Sequence, residues 1–294
     1  MSPQTSRRVG IARVAVALVA LLVLGYLGVI GYLVANETSI VFFADAAPGS
    51  RRPAMPFEQV ASPRDDGGTQ LTWVMRQASG ADRAPWIVFL HGKGAPVSAR
   101  LNIVHYERLR ALGLNVVAPE YRGYSGTGGV PTEAAVERDA RSGYDYLVET
   151  LHVPSSRIVI FGWSLGSAVA VDLASHVPSA GVILEGAPSS LVDIGRLRYP
   201  LIPIRLVMRN PFNSMAKIGN VKAPLLFLHS PEDAVVPIDE GRRLFAAAHD
   251  PKEFVQVRGG HVYAAERDPR FFEYVRRFLA ERKVIAGQMS VASQ

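Results

Sequence analysis

The clearest chemical feature of the sequence is a serine with a glycine two positions away on each side, in Gly162-Trp163-Ser164-Leu165-Gly166. The apolar run RIVIF leads into this pentapeptide and a helical pattern follows it. A serine on a tight strand-to-helix turn has a strained backbone. The positions two residues away must then be small, because larger side chains would collide with the adjoining strand and helix. We therefore predict that Ser164 is a nucleophile; the alternative is an ordinary glycine-rich turn.

A serine hydroxyl needs a general base, and the base needs an acid that orients it. Where the chain order is nucleophile, acid and histidine, the base must be His229, His249 or His261. His261 follows the last apolar strand in a predicted loop, and two preceding glycines let that loop bend over the strand ends. His229 lies within a strand and His249 at a helix end, which favours structural roles. His261 is the predicted base, and a surface loop histidine is the alternative.

The orienting acid is expected in the loop that leaves the apolar strand Leu225–His229. Both Glu232 and Asp233 lie in this loop. The following Val235-Val236-Pro237 leads to a helix start, which favours Asp233. A solvated turn carboxylate is the alternative for either residue.

Acyl transfer also needs preorganised N–H donors for the oxyanion that forms. One donor is predicted to be the backbone amide of Leu165, at the start of the helix after the nucleophile. The other is expected from the loop His91–Gly94, with the amide of Lys93 as the first candidate. His91 itself is predicted to brace this loop rather than to act as a base.

The elements that must position these residues are visible as apolar runs that alternate with helical patterns. Continuous apolar strands separated by helices predict a mostly parallel central sheet with helices on both faces, an α/β fold. We expect one catalytic domain over residues 70–285, a linker and domain start over 36–69, and a flexible tail over 286–294. The predicted strands are Gln70–Arg76, Trp86–Leu90, Asn115–Ala118, Arg157–Phe161, Gly181–Leu184, Leu225–His229 and Glu253–Val257.

The N-terminal part of the chain contains an uncharged apolar run over residues 14–35. Its 22 residues span about 33 Å as a helix, enough for a bilayer core. A cleaved signal, with a cleavage site at Ala44-Asp45-Ala46, is the alternative to a transmembrane helix. Basic residues within 1–13 and the acidic Glu37 place the N-terminus in the cytoplasm and the catalytic domain on the extracytoplasmic side.

Composition and missing motifs exclude several other functions. The chain has no cysteine, so a disulfide scaffold, a cysteine-ligated metal and a catalytic thiol are excluded. The net charge of +6 is concentrated in the N-terminus and in one stretch after residue 195, which does not indicate a nucleic-acid-binding surface. The sequence has no phosphate-binding loop, dinucleotide fingerprint or His-Glu-x-x-His metal pair. We expect no cofactor, no metal and no nucleic-acid partner.

Five segments, in this order, resemble the α/β-hydrolase superfamily, specifically membrane-anchored abhydrolase-domain proteins related to serine aminopeptidases and monoacylglycerol lipases. They are LHGKG (90–94), PEYRGYSGTGG (119–129), FGWSLGSAVA (161–170), PLLFLHSPEDAVVP (224–237) and RGGH (258–261). The resemblance covers the chain from about residue 70 to 283. It implies an α/β-hydrolase fold with Ser164 as nucleophile, Asp233 as acid and His261 as base. The chain departs from many relatives at Lys93-Gly94-Ala95, where they carry Asn followed by small residues.

The segment between Ser190 and Pro224 offers about 35 residues for a cap, too few for a large helical lid. Its centre, residues 196–209, mixes aliphatic residues with four arginines and two prolines. We hypothesise a small basic and apolar rim that faces an anionic membrane surface. The alternative is an ordinary connection whose aliphatic residues belong to the core and whose arginines are solvated.

Together these features predict a membrane-anchored serine hydrolase that cleaves carboxylic ester, thioester or amide bonds through an acyl-enzyme. The anchor and the resemblance favour apolar acyl or lipid-like esters as substrates. Two alternatives stay open. One is a serine peptidase of the same fold, and the other is a non-catalytic membrane-attached binding or scaffold protein.

Overall fold

The computed structural model describes residues 3–44 and 51–286. The predicted tail after residue 286 and most of the alternative cleavage site at 44–46 lie outside the described residues.

A single sheet of eight strands forms the centre of the described chain, with the order β1-β2-β4-β3-β5-β6-β7-β8. The pairs β1–β2 and β2–β4 are antiparallel, and all the other pairs are parallel. The expected mostly parallel sheet is therefore confirmed. The strands are β1 (Glu58–Pro63), β2 (Thr69–Met75), β3 (Trp86–Leu90), β4 (Asn115–Pro119), β5 (Ile158–Trp163), β6 (Gly181–Glu185), β7 (Leu225–His229) and β8 (Lys252–Gln256).

Helices cover both faces of this sheet, as the continuous apolar strands require. Alternate residues of β3 point to opposite faces: Val88 belongs to the hydrophobic cluster on one face of the sheet, whereas Phe89 belongs to the cluster on the other face. The α-helices of the described residues are α1 (Pro3–Ala35), α2 (Glu37–Phe42), α3 (Arg100–Ala111), α4 (Glu133–Asp145), α5 (Leu165–His176), α6 (Leu191–Arg198), α7 (Ile204–Val207), α8 (Ser214–Lys217), α9 (Ile238–Ala247), α10 (Gly260–Arg267) and α11 (Phe271–Glu281).

The N-terminal helix α1 contains a stretch, Ala12–Ala35, that is long and apolar enough to cross a membrane by length and composition. The most apolar 18 residues of this stretch have a mean hydropathy of 2.6, and none of them is buried by the rest of the protein. The short helix α2 then joins this stretch to the domain. Phe42 at its end is fully buried and packs edge-on against Phe212, with the ring centroids 5.9 Å apart.

Two local features differ from what the sequence pattern indicates. The range 36–69, expected to hold a linker and the start of the domain, contains β1, which pairs with β2 at the edge of the sheet. The residues of β1 are exposed or half-buried, so this edge strand lacks the apolar run by which the other strands are recognised. The loop predicted around His261 is instead the first turn of α10. This helix begins after Gly259, whose φ of 109° provides the sharp bend.

Lys217 holds the small cap segment on the body of the domain. Its ammonium group lies 2.6 Å from Glu137, 2.8 Å from Asp172 and 3.5 Å from Glu133. Burial raises the pKa of Glu137 to about 7, although the hydrogen bond from Lys217 acts in the opposite direction. Three carboxylates from α4 and α5 therefore depend on one cation from α8.

We expect Lys217→Met to lower the free energy of unfolding by roughly 2 kcal/mol at pH 8, because it leaves three carboxylates without their cation. The folded-state pKa of Glu137 lies above its unfolded value, so stability falls as pH rises between the two. Losing Lys217 raises the folded-state pKa further, and the loss of stability is then smaller at pH 5. Thermal unfolding of the full-length protein in detergent at both pH values measures this. Lys222→Met, at an exposed lysine, is the control. A loss that is equal at both pH values contradicts the prediction.

Candidate active site

Ser164 lies at the junction of β5 and α5, with φ 56° and ψ −119°. This conformation costs a non-glycine residue of the order of 1–3 kcal/mol and persists only where the surroundings enforce it. The Ser164 amide donates to the carbonyl of Glu185 at the end of β6, at 2.8 Å. The Ser164 carbonyl accepts from the Ser167 amide at 2.9 Å. The turn is thus fixed from both sides.

The two glycines of the motif are explained by how closely α5 approaches the sheet. A Cβ on Gly166 would lie 2.0 Å from the carbonyl oxygen of Leu90, at the end of β3. A Cβ on Gly162 would lie 2.3 Å from the carbonyl oxygen of Gly166. Both obstacles are backbone atoms, which cannot rotate away as a side chain can. The collision predicted from the sequence is therefore present at both positions.

The structure brings Ser164, His261 and Asp233 together, although they are far apart in the sequence. The Ser164 Oγ lies 2.6 Å from His261 Nε2, and His261 Nδ1 lies 2.7 Å from Asp233 Oδ2. In the neutral imidazole with its proton on Nδ1, the ring donates to Asp233 and accepts from the serine hydroxyl. This arrangement can remove a proton from Ser164 and stabilise the resulting imidazolium.

The buried carboxylate of Asp233 is held by its own loop and by a second histidine. Its Oδ1 accepts from the amides of Val235 at 2.9 Å and Val236 at 2.7 Å. His229 Nε2 donates to the Val236 carbonyl at 2.8 Å and lies 3.5 Å from Asp233 Oδ2. Burial alone would raise the pKa of Asp233, but the hydrogen bonds from His229 and His261 hold it well below its usual range. Asp233 is therefore ionised at neutral pH.

Lys93 and Leu165, predicted to provide the oxyanion donors, line the same cavity as Ser164. The Leu165 amide is in the first turn of α5, where amides have no intrahelical acceptor. Over residues 3–44 and 51–286, neither this amide nor that of Lys93 donates to a protein oxygen. An oxyanion site requires N–H groups that are free to donate, so the amides of Leu165 and Lys93 remain the candidate donors.

A buried pair of side chains, His105 and Glu185, supports the turn at Ser164. His105 Nε2 lies 2.8 Å from Glu185 Oε2, and His105 Nδ1 lies 2.8 Å from the Leu101 carbonyl. Burial lowers the pKa of His105, but the charge and hydrogen bond of Glu185 outweigh this and leave the pKa above its ordinary value. The Glu185 carbonyl accepts the Ser164 amide, so the ion pair holds the residue that orients the nucleophile turn.

His91 is the first residue of the loop that carries Lys93, and it is fully buried. Its Nε2 lies 2.9 Å from Glu120 Oε1, and its Nδ1 lies 3.0 Å from the carbonyl of Gly92. Glu120 also accepts from the Val97 amide at 3.1 Å. The hydrogen bond of His91 Nδ1 to Gly92 and the close contact of its Nε2 with the Glu120 carboxylate connect the ring to the loop backbone and to Glu120, in agreement with the predicted bracing role.

Ser164 lies between two cavities. The larger, about 550 Å³, is bounded mainly by apolar residues from α1, α2, α6 and α7. The other, about 500 Å³, is bounded by the loop after β3, the start of α3 and the first turn of α10. Lys93, Ser164 and Val235 line both. An ester bound at Ser164 can therefore place its acyl and alcohol parts in separate cavities.

Other candidates from the sequence lie apart from this group. Glu232 and His249 are exposed. The sequence did not indicate that the end of α1 and the helix α2 line the cavity beside Ser164, since their apolar residues fit a membrane span equally well. The signal that could have pointed there is Glu37, a lone carboxylate directly after the span, which is buried.

Comparisons with known proteins agree with this architecture. The family model described as "Alpha/beta hydrolase family" matches residues 87–288. The protein Rv2307c of Mycobacterium tuberculosis is 34% identical over 275 residues, which cover 92% of this chain and 97% of the relative. The alpha/beta hydrolase domain-containing protein WAV2 of Arabidopsis thaliana is 28% identical and covers 69% and 71%. Among solved structures, the Pyrococcus furiosus esterase Pf2001 has a TM-score of 0.66 at 19% identity, covering 78% of this chain and 92% of that one.

We expect Gly166→Ala to destabilise the protein by about 3 kcal/mol, because the added methyl group meets the backbone of β3. Gly219→Ala is the matched control, since a Cβ there meets nothing within 4 Å. Thermal unfolding of both variants in detergent compares them. Equal melting temperatures for the two variants would show that α5 does not need this close approach.

Proposed function

Because this chain belongs to the alpha/beta hydrolase family, we propose that it is a serine hydrolase that cleaves carboxylic ester bonds through an acyl-enzyme. Thioesters and amides share the carbonyl chemistry and are included in the proposal. The observation that carries it is the hydrogen-bonded series from Ser164 through His261 to the ionised Asp233.

In the proposed mechanism, Ser164 Oγ attacks the substrate carbonyl carbon while His261 Nε2 accepts the hydroxyl proton. The amides of Leu165 and Lys93 donate to the oxyanion of the tetrahedral intermediate. His261 then returns the proton to the leaving alcohol, and the C–O bond of the ester breaks. Water activated by His261 attacks the acyl-enzyme in the second half, which releases the acid and restores Ser164. Asp233 orients the imidazole throughout and stays ionised.

The preferred substrate is an ester with an apolar acyl part. The larger cavity is bounded mostly by aliphatic side chains, which suit a hydrocarbon chain better than a peptide. The esterase Pf2001, which has the same fold, is named for ester hydrolysis.

We further propose that α1 is a retained membrane anchor, with residues 1–13 cytoplasmic and the domain extracytoplasmic. The length and hydropathy of Ala12–Ala35 support a span. The basic residues before it and the acidic residue after it support this orientation. The burial of Glu37 and Phe42 against the domain favours retention over cleavage, because cleavage near residue 44 would remove both.

We expect a fluorophosphonate probe to label the full-length protein covalently and to leave Ser164→Ala unlabelled. Asp233→Asn should lower kcat on 4-nitrophenyl esters by roughly 10⁴-fold, because the imidazole tautomer is no longer held. Glu232→Gln changes the exposed neighbouring carboxyl group and should leave kcat unchanged.

The same experiment separates the proposal from its alternatives. A folded wild-type protein that is not labelled contradicts the proposal and favours a binding or scaffold role. Labelling that persists in Ser164→Ala contradicts the assignment of the nucleophile. A higher kcat/KM for aminoacyl 4-nitroanilides than for acyl esters would identify a peptidase.

The absence of cysteine from the sequence allows a direct test of orientation. We expect a membrane-impermeant maleimide to label Asp82→Cys, at an exposed position of the domain, in intact cells. Ser6→Cys, before the span, should be labelled only after the membrane is permeabilised. The reverse pattern would place the domain in the cytoplasm.

A further inference from the structure

One wall of the larger cavity beside Ser164 is built by the segment that we propose as the anchor. Leu33 and Val34, in the last turn of α1, and Ile40, in α2, line it. The remaining lining is largely apolar and comes from the cap. Its aliphatic members are Leu191, Ile194, Leu197, Ile204 and Val207.

Glu37 holds this wall against the cap. Only 6% of Glu37 is exposed, and its carboxylate accepts from the backbone amides of Arg209 and Asn210, each at 2.8 Å. The side chains of the same two residues donate at 2.9 and 3.0 Å, and Arg209 Nη2 also donates to the Val34 carbonyl at 2.8 Å. Burial would raise the pKa of Glu37, but these hydrogen bonds hold it below its ordinary value. The end of α1 thus has a defined position in the wall.

The cap also extends along the apolar part of α1. The Tyr26 hydroxyl donates to the carbonyl of Leu201 at 2.8 Å. Tyr26 lies nine residues before Ala35, which corresponds to about 13 Å along the helix axis. Leu201 is 83% exposed, and Leu206 in α7 is 84% exposed. This part of the cap therefore lies beside the proposed span and presents leucines where a bilayer would contact them.

The charges of the cap agree with a membrane surface. Arg196, Arg198 and Arg205 are exposed and surround the exposed leucines in sequence. Leucines at a bilayer boundary with basic residues beside them are typical of segments that lie in a membrane interface. Basic side chains at this level attract anionic headgroups.

We propose that the acyl chain of the substrate enters the cavity laterally from the bilayer, past Leu33 and Val34, between the two places where Tyr26 and Glu37 join the N-terminal segment to the cap. This proposal rests on the proposed serine hydrolase function and specifies its substrate class, a membrane-resident lipid ester with an apolar acyl chain. The anchor helix then contributes directly to substrate binding. The carbonyl of the lipid lies at the interface, level with Glu37 and Ser164, and its chain lies along Leu33 and Ile40.

Photolabelling of Ser164→Ala tests this access without requiring turnover. The full-length variant is placed in phosphatidylcholine nanodiscs that contain a monoacylglycerol with a diazirine at the end of its chain. We expect crosslinks at Leu165 or Val236, each 4% exposed, because only a chain inside the cavity reaches them. Crosslinks restricted to the outer faces of α1 and the cap would overturn the proposal.

A second variant measures the role of the α1 wall in catalysis. We expect Leu33→Trp to lower kcat/KM for a dodecanoyl 4-nitrophenyl ester by at least tenfold and to change that for the acetyl ester by less than twofold. Leu24→Trp, 66% exposed and half a helical turn away in orientation, should change neither value. An equal effect of Leu33→Trp on both esters, or no effect on either, would overturn the proposal.

The two readouts separate this proposal from the proposed function. A wild-type protein without ester turnover or fluorophosphonate labelling refutes the serine hydrolase, whatever the crosslinks show. An active enzyme refutes lateral access alone if Leu33→Trp does not change its acyl-chain preference and the probe does not crosslink to Leu165 or Val236.

Discussion

The turn at Ser164 constrains how the surrounding strands and α5 pack, because it holds a non-glycine residue at a positive φ. Its positive φ requires backbone partners on both sides, which the carbonyl of Glu185 and the amide of Ser167 provide. The turn also requires α5 to contact the backbone of β3, so that glycine is needed at positions 162 and 166. The register of the parallel strands β3, β5 and β6 therefore sets where the backbone of Ser164 lies.

Around this turn, each buried carboxylate that the site depends on has polar partners that hold it in place. The carboxylate of Asp233 accepts hydrogen bonds from two backbone amides of its own loop and lies beside His229 and His261. Glu185 is paired with His105 from α3. A buried charge without a partner would be strongly destabilising, so these contacts also limit how far the strand ends can move. The hydrogen bonds and ion pairs that stabilise these buried carboxylates thus also hold the side chains of the site in position.

The N-terminal segment extends this arrangement along the proposed membrane anchor. Glu37 joins the end of α1 to the cap, and Tyr26 joins the apolar part of α1 to Leu201. The same segment lines the cavity beside Ser164. The proposed membrane anchor and the proposed acyl site are therefore coupled through a few polar contacts in an otherwise apolar wall.

The sequence alone indicated the fold class, the tight turn at Ser164 and the candidates Asp233 and His261, because each leaves a local pattern. Glycines two positions from a serine, apolar runs and a loop after a strand can be recognised without knowing the neighbours. Only the tertiary structure decided the edge strand β1, the support of Ser164 by His105 and Glu185, and the α1 wall of the cavity. The contacts of Glu37 with Arg209 join residues 172 positions apart, and such pairs leave no periodicity in either segment. Their partners are selected by the packed sheet and its cap, which bring distant side chains into contact.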